Sequence, residues 1–361
     1  MDEGELPSIK ISPKQTALLP LDLPTDNGQH WLLNLYYEQK CDLPLVPKGH
    51  LLGFDQIELF RGRMVAPAIS VLPASPLNLQ QNAREIWVGN QQTRYRFDRQ
   101  RGILLQIERN GTPLLNAPLD FNIWRAPLDN DALIKQHWQA AGYDRAQTRA
   151  YEMNVIAQAE RVIVRAQCAL VAVSQGRILT LQVDYVIAQD GSLAIKIIAE
   201  KAPHLPFLPR FGVCFVLPKT MQQTEYFAYG PTESYIDKHH SSQLGRYQTT
   251  PQQNHVDYLK PQENGSHYAC HWLEVRSKKQ KFLLSASQPF SFNLSPYTQQ
   301  ELATKRHNFE LIESGSTLLC VDYKMSGIGS NSCGPSLLPQ YRLNETKFEF
   351  ELKLLISDET N

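Results

Sequence analysis

A run of short polar side chains near the end of the chain could bind a small polar ligand. Residues 327–335 read Gly-Ile-Gly-Ser-Asn-Ser-Cys-Gly-Pro, between two runs typical of strands. Three glycines give the backbone freedom and the proline fixes its exit, which predicts a shaped loop. Asn331, Ser332 and Cys333 would offer an amide, a hydroxyl and a thiol to a ligand. The alternative is a tight connection between strands with Cys333 buried.

A second group combines one arginine with three consecutive carboxylate or amide side chains. Arg125 is followed by Asp129, Asn130 and Asp131, just before a run predicted to be a helix. In one interpretation these side chains accept hydrogen bonds from the first amides of that helix, while Arg125 forms a forked ion pair with one carboxylate. In the other, they hydrogen-bond the hydroxyls of a sugar or shape the rim of a cleft.

Two carboxylates and two histidines lie close together further along the chain. Glu233, Asp237, His239 and His240 could act as metal ligands or as an acid and a base. Adjacent histidines in a strand point to opposite faces, however, and no second pair follows at ligand spacing. We predict a structural or interface loop and no metal site. Phosphate-loop, serine-hydrolase and zinc-protease signatures are absent, so no catalytic residue is assigned to this chain.

The elements that position these groups are predicted to be strands. After residue 84, apolar and polar residues alternate, which is typical of half-buried strands, and Asn110-Gly111 indicates a hairpin turn. A single clear helical run, 133–141, ends at Gly142. This pattern predicts an all-β fold. The predicted strands in this part are 85–88, 93–97, 104–109, 162–171, 177–187, 193–200, 211–217, 281–285, 316–324 and 340–356, the last with a clear alternating core at 348–355.

We predict three parts along the chain. Residues 1–66 form part of a β-sandwich, residues 67–83 form an irregular linker rich in Pro, Ala, Ser, Asn and Gln, and residues 84–361 form one large β domain. A sandwich needs about seven strands to close a core, so the first part is predicted to be truncated at its N-terminus. Its strand-like runs are 15–21, 31–37 and 55–59.

Composition limits the classes of function. Lys plus Arg number 36, as do Asp plus Glu, so nothing electrostatic indicates nucleic acid or an anionic membrane as a partner. No apolar run approaches the roughly 20 residues of a membrane helix, and the acidic start is unlike a signal peptide, which predicts a cytoplasmic protein. The six cysteines form no C-x-x-C pair and are expected to be reduced and mostly in the core.

Five motifs in the same order resemble those of a known family, the large bacterial β-galactosidases of glycoside hydrolase family 2. They run from residue 124 to residue 332, and five collinear matches make a chance resemblance improbable. The matching residues are Trp124-Arg-Ala-Pro-Leu-Asp-Asn-Asp131, Gly230-Pro-Thr-Glu-Ser-Tyr-Ile-Asp237, Pro261-Gln-Glu-Asn-Gly265, Phe292-Asn293 with Tyr297-Thr298, and Met325-Ser-Gly-Ile-Gly329 with Asn331-Ser332.

The resemblance implies a fold for this chain and the absence of several of the family's domains. Residues 84–361 would form a large antiparallel supersandwich similar to that of galactose mutarotase, and residues 1–66 the second half of an immunoglobulin-like β-sandwich. The family's sugar-binding jelly roll, first immunoglobulin-like domain and catalytic (β/α)8 barrel would be absent. Absent with them are the acid/base and nucleophile glutamates, which retaining hydrolysis holds about 5 Å apart. We therefore expect this chain alone to be inactive.

The resemblance also implies roles for the polar residues already described. The last domain of this family supplies loops that close one side of the active site. Cys333 stands where the family carries a tryptophan on which the sugar stacks, so stacking area would be lost here. The implied pocket-lining residues are Asn331, Ser332 and Cys333, and the implied rim or loop-supporting residues are Asp129, Asn130, Asp131 and Arg125.

The sequence thus predicts the C-terminal part of a β-galactosidase acting on terminal β-D-galactosides such as lactose, either as a fragment or as the small subunit of a split enzyme. Its partners would be the galactoside and the barrel and N-terminal domains, in cis or in a partner subunit, within an oligomer. Mg²⁺ and Na⁺ would be bound mainly by the missing domains, and no cofactor by this chain. Two alternatives stay open: a stand-alone carbohydrate-binding module, and a mutarotase-like enzyme using a histidine and a glutamate as acid and base.

Overall fold

A computed structural model gives the fold of most of the chain. The chain divides into two compact units, residues 1–65 and 66–361. In the part that is described, no helix is long and apolar enough to cross a membrane. The described residues are 3–7, 9–23, 25–60, 62, 66–67, 74–173 and 175–359.

The regular structure described in the first unit is one antiparallel hairpin. β1 (Trp31–Glu38) pairs with β2 (Leu51–Phe60), and both strands were expected from the sequence. The third expected strand, at residues 15–21, is wrong: the segment has no regular structure. It contains Pro20, which cannot donate to a ladder, and no third strand pairs with the hairpin within the described ranges. No described residue of this unit is fully buried.

The second unit begins with a five-stranded meander in the order β3-β4-β5-β6-β7. The predicted turn at Asn110-Gly111 is confirmed, with φ of 49° and 77°, the two positive values that a tight hairpin turn requires. Its strands are β3 (Asn78–Gln81), β4 (Glu85–Gly89), β5 (Thr93–Asp98), β6 (Ile103–Arg109) and β7 (Thr112–Pro113).

β3 corrects the predicted linker. Residues 78–81 form a strand although the sequence there is polar. The hairpin partner β4 supplies the backbone hydrogen bonds, and polar side chains do not prevent that pairing. The rest of the predicted linker, residues 67–83, lies partly outside the described residues.

A twelve-stranded antiparallel sheet makes up the rest of the second unit. Nine strands run in the order β15-β14-β16-β17-β19-β12-β11-β10-β9, while β18 pairs with β17 and β13, and β8 pairs with β13. The strands are β8 (Ala117–Asn122), β9 (Gln147–Ala157), β10 (Arg161–Val171), β11 (Arg177–Ala188), β12 (Leu193–Lys201), β13 (Arg210–Pro218), β14 (Gln223–Gly230), β15 (Gln243–Thr249), β16 (Ser266–Arg276), β17 (Gln280–Ser295), β18 (Ser316–Met325) and β19 (Lys347–Asp358).

Alternating side chains explain why these segments form strands around one core. In β11, Leu181, Val183 and Tyr185 are buried, while the residues between them lie half-exposed on the other face. The all-β fold with a large antiparallel sheet that the sequence predicts is therefore confirmed. The predicted strand 340–356 is regular only from Lys347 onward.

Helices are few and short. α1 (Ile134–Ala140) confirms the predicted helix, and Gly142 behind it has a φ of 79°, the left-handed conformation expected of a helix stop. α2 (Pro251–Asn254) and α3 (Gln299–Thr304) each begin at a threonine whose hydroxyl accepts a backbone amide, at Thr250 and Thr298.

The expectation of reduced, mostly buried cysteines is wrong for one pair and incomplete for two others. Cys214 of β13 lies opposite Cys320 of β18, with Cα atoms 4.3 Å apart, and the two form a disulfide. They are 106 residues apart, so only the strand pairing brings them together. The free thiols are Cys168 and Cys270, which are buried, and Cys41 and Cys333, which are exposed.

Candidate functional site

The loop at residues 327–335 follows β18 and precedes a 3-10 turn at Pro339–Tyr341. Its first residue is buried, and the amide of Gly327 donates to the carbonyl of Tyr341 at 2.8 Å. Further along, Gly334 N donates to Ser330 O at 2.8 Å and closes a tight turn. The loop is thus fixed at its start and folded back on itself at its tip.

The predicted pocket-lining residues form that tip. Asn331 is half-buried, and Ser332 and Cys333 are exposed. The thiol is therefore not buried, and the simple strand connection with a core cysteine does not describe this loop. Its amide, hydroxyl and thiol lie at the surface of the second unit, where a ligand could reach them.

Arg125 holds the start of the loop from inside the domain. Its guanidinium donates to the carbonyls of Ser326 and Gly327 at 2.6 and 3.0 Å, and it forms a forked ion pair with Asp131 at 2.8 and 3.0 Å. Both side chains are almost fully buried. The forked pair expected from the sequence is confirmed, but helix capping is not: α1 has no side-chain cap, and Asp131 instead accepts the amide of Leu128 at 3.0 Å.

Asn130 connects the same segment to the tip of the loop. Its amide nitrogen donates to Gly329 O at 2.6 Å, and its oxygen accepts Ser332 N at 3.3 Å. Asp129, by contrast, is 61% exposed, with Lys260 at 3.7 Å as its ionic neighbour. Of the three consecutive polar residues, Asp131 is buried against Arg125, Asn130 hydrogen-bonds the loop and Asp129 faces solvent.

The carboxylate of Asp237 binds the loop from a third direction. It accepts the amides of Ile328 and Gly329 at 3.0 and 2.8 Å, one on each oxygen.

Within the described residues, no group of three or more His, Cys, Asp or Glu side chains is placed to hold a metal ion. Nearby, the ring of His239 stacks on that of His240 with centroids 4.8 Å apart, and its Nδ1 lies 3.0 Å from Tyr235 O.

Two glutamates from the other motifs complete the support. Glu233 accepts the hydroxyl of Tyr258 at 2.5 Å and the amide of Gly265 at 2.9 Å. Glu263 accepts the amide of Ala126 at 3.0 Å and an Arg210 N–H at 2.5 Å. These two glutamates therefore bind backbone amides, a tyrosine hydroxyl and an arginine of the protein itself.

Arg210 lies at the centre of this buried network. It forms a forked pair with Asp322 at 3.0 and 2.6 Å, and all three charged side chains of the cluster, with Glu263, are at most 2% exposed. Burial raises the pKa of the Asp322 carboxyl to about 6, and the adjacent Arg210 guanidinium opposes that shift.

His267 is a further buried titratable group close to these motifs. Its Nδ1 lies 3.0 Å from Tyr229 O and its Nε2 lies 2.7 Å from Asn254 Oδ1. The Asn254 amide nitrogen donates to two carbonyls, which fixes its oxygen towards the ring. Both ring nitrogens therefore face acceptors, while burial, the larger effect, lowers the pKa of His267 to about 4.

Sequence reasoning identified the loop and its neighbours but missed what connects them. Arg210 and Asp322 were not singled out, Glu263 was quoted only as part of a motif, and no role in holding the loop was assigned to Asp237. The sequence did contain a signal for the buried Arg210 cluster. Asp322 interrupts an apolar run in a predicted strand, and a charged residue there needs a buried partner. The structure brings Arg125 and Asn130 into contact with the loop, and Asp131 into contact with Arg125.

Comparison with known proteins gives a family for this arrangement. The family described as "Beta galactosidase small chain" matches residues 89–354. A β-galactosidase of Actinobacillus pleuropneumoniae is 49% identical over 96% of this chain, and one of Staphylococcus xylosus is 31% identical over 89%. The matches cover 34% and 32% of those proteins, so the chain spans about a third of the length of these curated relatives. Among solved structures, a galactose 1-epimerase from Lactobacillus acidophilus is 10% identical, with a TM-score of 0.46, over 79% of this chain and 99% of its own.

Proposed function

The chain belongs to the β-galactosidase small-chain family, and from this premise we propose that it supplies one wall of the active site of a β-galactosidase. One observation carries the proposal: side chains from the separate motifs converge on the loop at residues 327–335 and leave Ser332 and Cys333 exposed. An assembly of this kind fixes a surface loop, which is what a pocket wall needs.

The reaction itself belongs to the complete enzyme. We propose that this enzyme is a family 2 glycoside hydrolase that cleaves terminal β-D-galactosides such as lactose with retention. Its acid/base and nucleophile glutamates lie outside this chain, in the two thirds of the relatives' length that the chain does not match. Within this chain, Asn331 and Ser332 hydrogen-bond the sugar, and Asp129 lies at the rim. We assign the enzyme to the cytoplasm, where it acts as an oligomer.

The first unit supports the idea of a partner, in cis or in a second subunit. A two-stranded hairpin is only marginally stable in water, and no described residue of 1–65 is fully buried. Large apolar side chains on β1 and β2 are instead exposed, such as Tyr36 at 54%, Leu52 at 60% and Ile57 at 46%. We infer that further strands of an immunoglobulin-like sandwich, carried by the rest of the enzyme, cover this hairpin.

Metal ions enter the proposal only through the complete enzyme. Mg²⁺ and Na⁺ are assigned mainly to the domains outside this chain, where they would neutralise charge and order the catalytic site. We assign no metal to Asp131, Glu233, Asp237 or Glu263, because arginines, hydroxyls or backbone amides engage these four carboxylates. No step assigned to this chain passes through a metal.

The proposal is tested by mixing the chain with a complementary chain, meaning a β-galactosidase relative from which the matched region has been removed. Hydrolysis of a chromogenic galactoside is expected from the mixture and from neither chain alone. An isolated carbohydrate-binding module would instead show galactose binding in calorimetry and no restored hydrolysis. That pair of results would replace the proposed function with the binding module.

Cys333→Trp is expected to strengthen substrate binding in the complemented enzyme. Stacked aromatic pairs contribute about 0.5–1.5 kcal/mol beyond burial, and a gain of this size from an indole on a sugar would lower the KM for a galactoside about 2–10-fold. Because Cys333 is exposed, the free energy of unfolding of the isolated chain should change by less than about 0.5 kcal/mol. Cys333→Leu, which adds apolar area without a flat face, is the matched control. Equal KM values for the two variants would contradict a stacking position.

A further inference from the structure

The strongest unassigned feature beside the loop is the carboxylate of Asp237. Its Oδ1 accepts Ile328 N at 3.0 Å and its Oδ2 accepts Gly329 N at 2.8 Å. Hydrogen bonds from amides to an ionised carboxylate are shorter and stronger than those between neutral groups. We propose that Asp237 is a positioning residue for substrate binding: it fixes the backbone of residues 327–329, and so places Asn331, Ser332 and Cys333 against the sugar. This inference rests on the proposed function.

The loop is built to admit this carboxylate. A Cβ atom added at Gly327 would lie 2.5 Å from Asp237 Cγ and 2.6–2.7 Å from both of its oxygens. Real Cβ atoms do not approach that closely, so glycine at residue 327 is required by the contact with Asp237 rather than by φ. The contact therefore needs both Gly327 and Asp237, although they are 90 positions apart in the sequence.

Asp237 is itself held in place. It lies in a turn where Tyr235 and Lys238 exchange two backbone hydrogen bonds at 2.8 and 3.0 Å. Tyr235 is buried, which raises the pKa of its hydroxyl well above the usual value, and this protonated hydroxyl donates to Glu233 at 3.2 Å. Glu233 in turn accepts Gly265 N at 2.9 Å. A rigid turn thus presents the carboxylate to the loop.

The contacts of Asp237 differ in kind from those of the other two side chains that bind the loop. Arg125 binds carbonyls at residues 326 and 327, and Asn130 binds a carbonyl at 329 and an amide at 332. Asp237 alone among these three is an anion that binds consecutive amides. Its removal would free the amides of residues 328 and 329 while leaving the buried Arg125–Asp131 pair intact, which makes its contribution separable from folding.

Hydrogen exchange in the isolated chain tests the contact itself. Asp237→Asn points an N–H at one of the two amides, so exchange at Ile328 and Gly329 is expected to rise at least about tenfold. Gly327→Ala places a methyl group where the Asp237 carboxylate lies and should raise exchange at Ile328 and Gly329 by the same factor. Asp257→Asn makes the same chemical change at a carboxylate that is 79% exposed and should leave the loop unchanged. Wild-type exchange in both loop variants would overturn the proposal.

Kinetics of the complemented enzyme test the positioning role. Asp237→Asn and Gly327→Ala should each raise the KM for a galactoside about tenfold, change kcat by less than about threefold, and be non-additive when combined. Wild-type KM values with raised exchange would make Asp237 merely structural and overturn the role. An inactive wild-type mixture would overturn the proposed function and this role with it, while the exchange result would still show whether Asp237 holds the loop.

Discussion

Arg210→Met is expected to lower the free energy of unfolding by at least about 3–5 kcal/mol, because it leaves buried carboxylates without the cation that faces them. Asp322 and Glu263 are 0% and 2% exposed, so water cannot replace the guanidinium. Methionine fills much of the volume but offers no proton. Urea unfolding followed by circular dichroism would measure the change.

Arg165→Met is the matched control for Arg210→Met. Arg165 forms the same forked geometry with Asp184, at 2.7 and 2.6 Å, but its side chain is 39% exposed. Exposed ion pairs contribute little, so this substitution should cost less than about 1 kcal/mol. Similar losses for the two variants would show that burial of the Arg210 cluster does not determine its contribution to stability.

Ile57→Asp is expected to weaken assembly with the complementary chain at least about 100-fold, since it loses about 1.5–3 kcal/mol of apolar burial and adds the cost of burying a charge. Ile57 pairs with Leu33 across the hairpin, so both lie on one face, with Leu35 two residues further along. The affinity of the two chains, measured by calorimetry or by titration of activity, reports the change.

Two measurements separate assembly from folding for Ile57→Asp. Because Ile57 is 46% exposed, the thermal unfolding of the isolated chain should be unchanged. Ile312→Asp makes the same chemical change at an isoleucine of the second unit that is 69% exposed, and should leave assembly nearly unchanged. Equal weakening by both variants, or by neither, would contradict a docking surface on the Leu33–Ile57 face.

The sequence predicted strands well where alternation was strong. β10, β11 and β12 were expected within one or two residues of their observed ends, because side-chain period alone defines them. β3 and the segment at residues 15–21 were wrong, since pairing rather than composition decides whether a short polar or proline-containing run becomes a strand.

The candidate site could be predicted only in part. Collinear motifs indicated the loop and Arg125 and its acidic neighbours, but their local spacing could not show which carboxylates are buried. Asp131 and Asp129 look alike in the sequence, yet one is 5% and the other 61% exposed. The contacts of Asp237 with residue 329 and of Arg210 with Asp322 span about a hundred residues, and only the strand pairing of the large sheet brings them together.

The most direct measurement of the proposed role is a titration of this chain into a fixed amount of the complementary chain, followed by hydrolysis of a chromogenic galactoside. We predict no hydrolysis by either chain alone and a rate that rises with added chain to a plateau at one copy per complementary chain. Hydrolysis by the pure chain, or no rate at any ratio when the two chains bind each other, would contradict the proposed role.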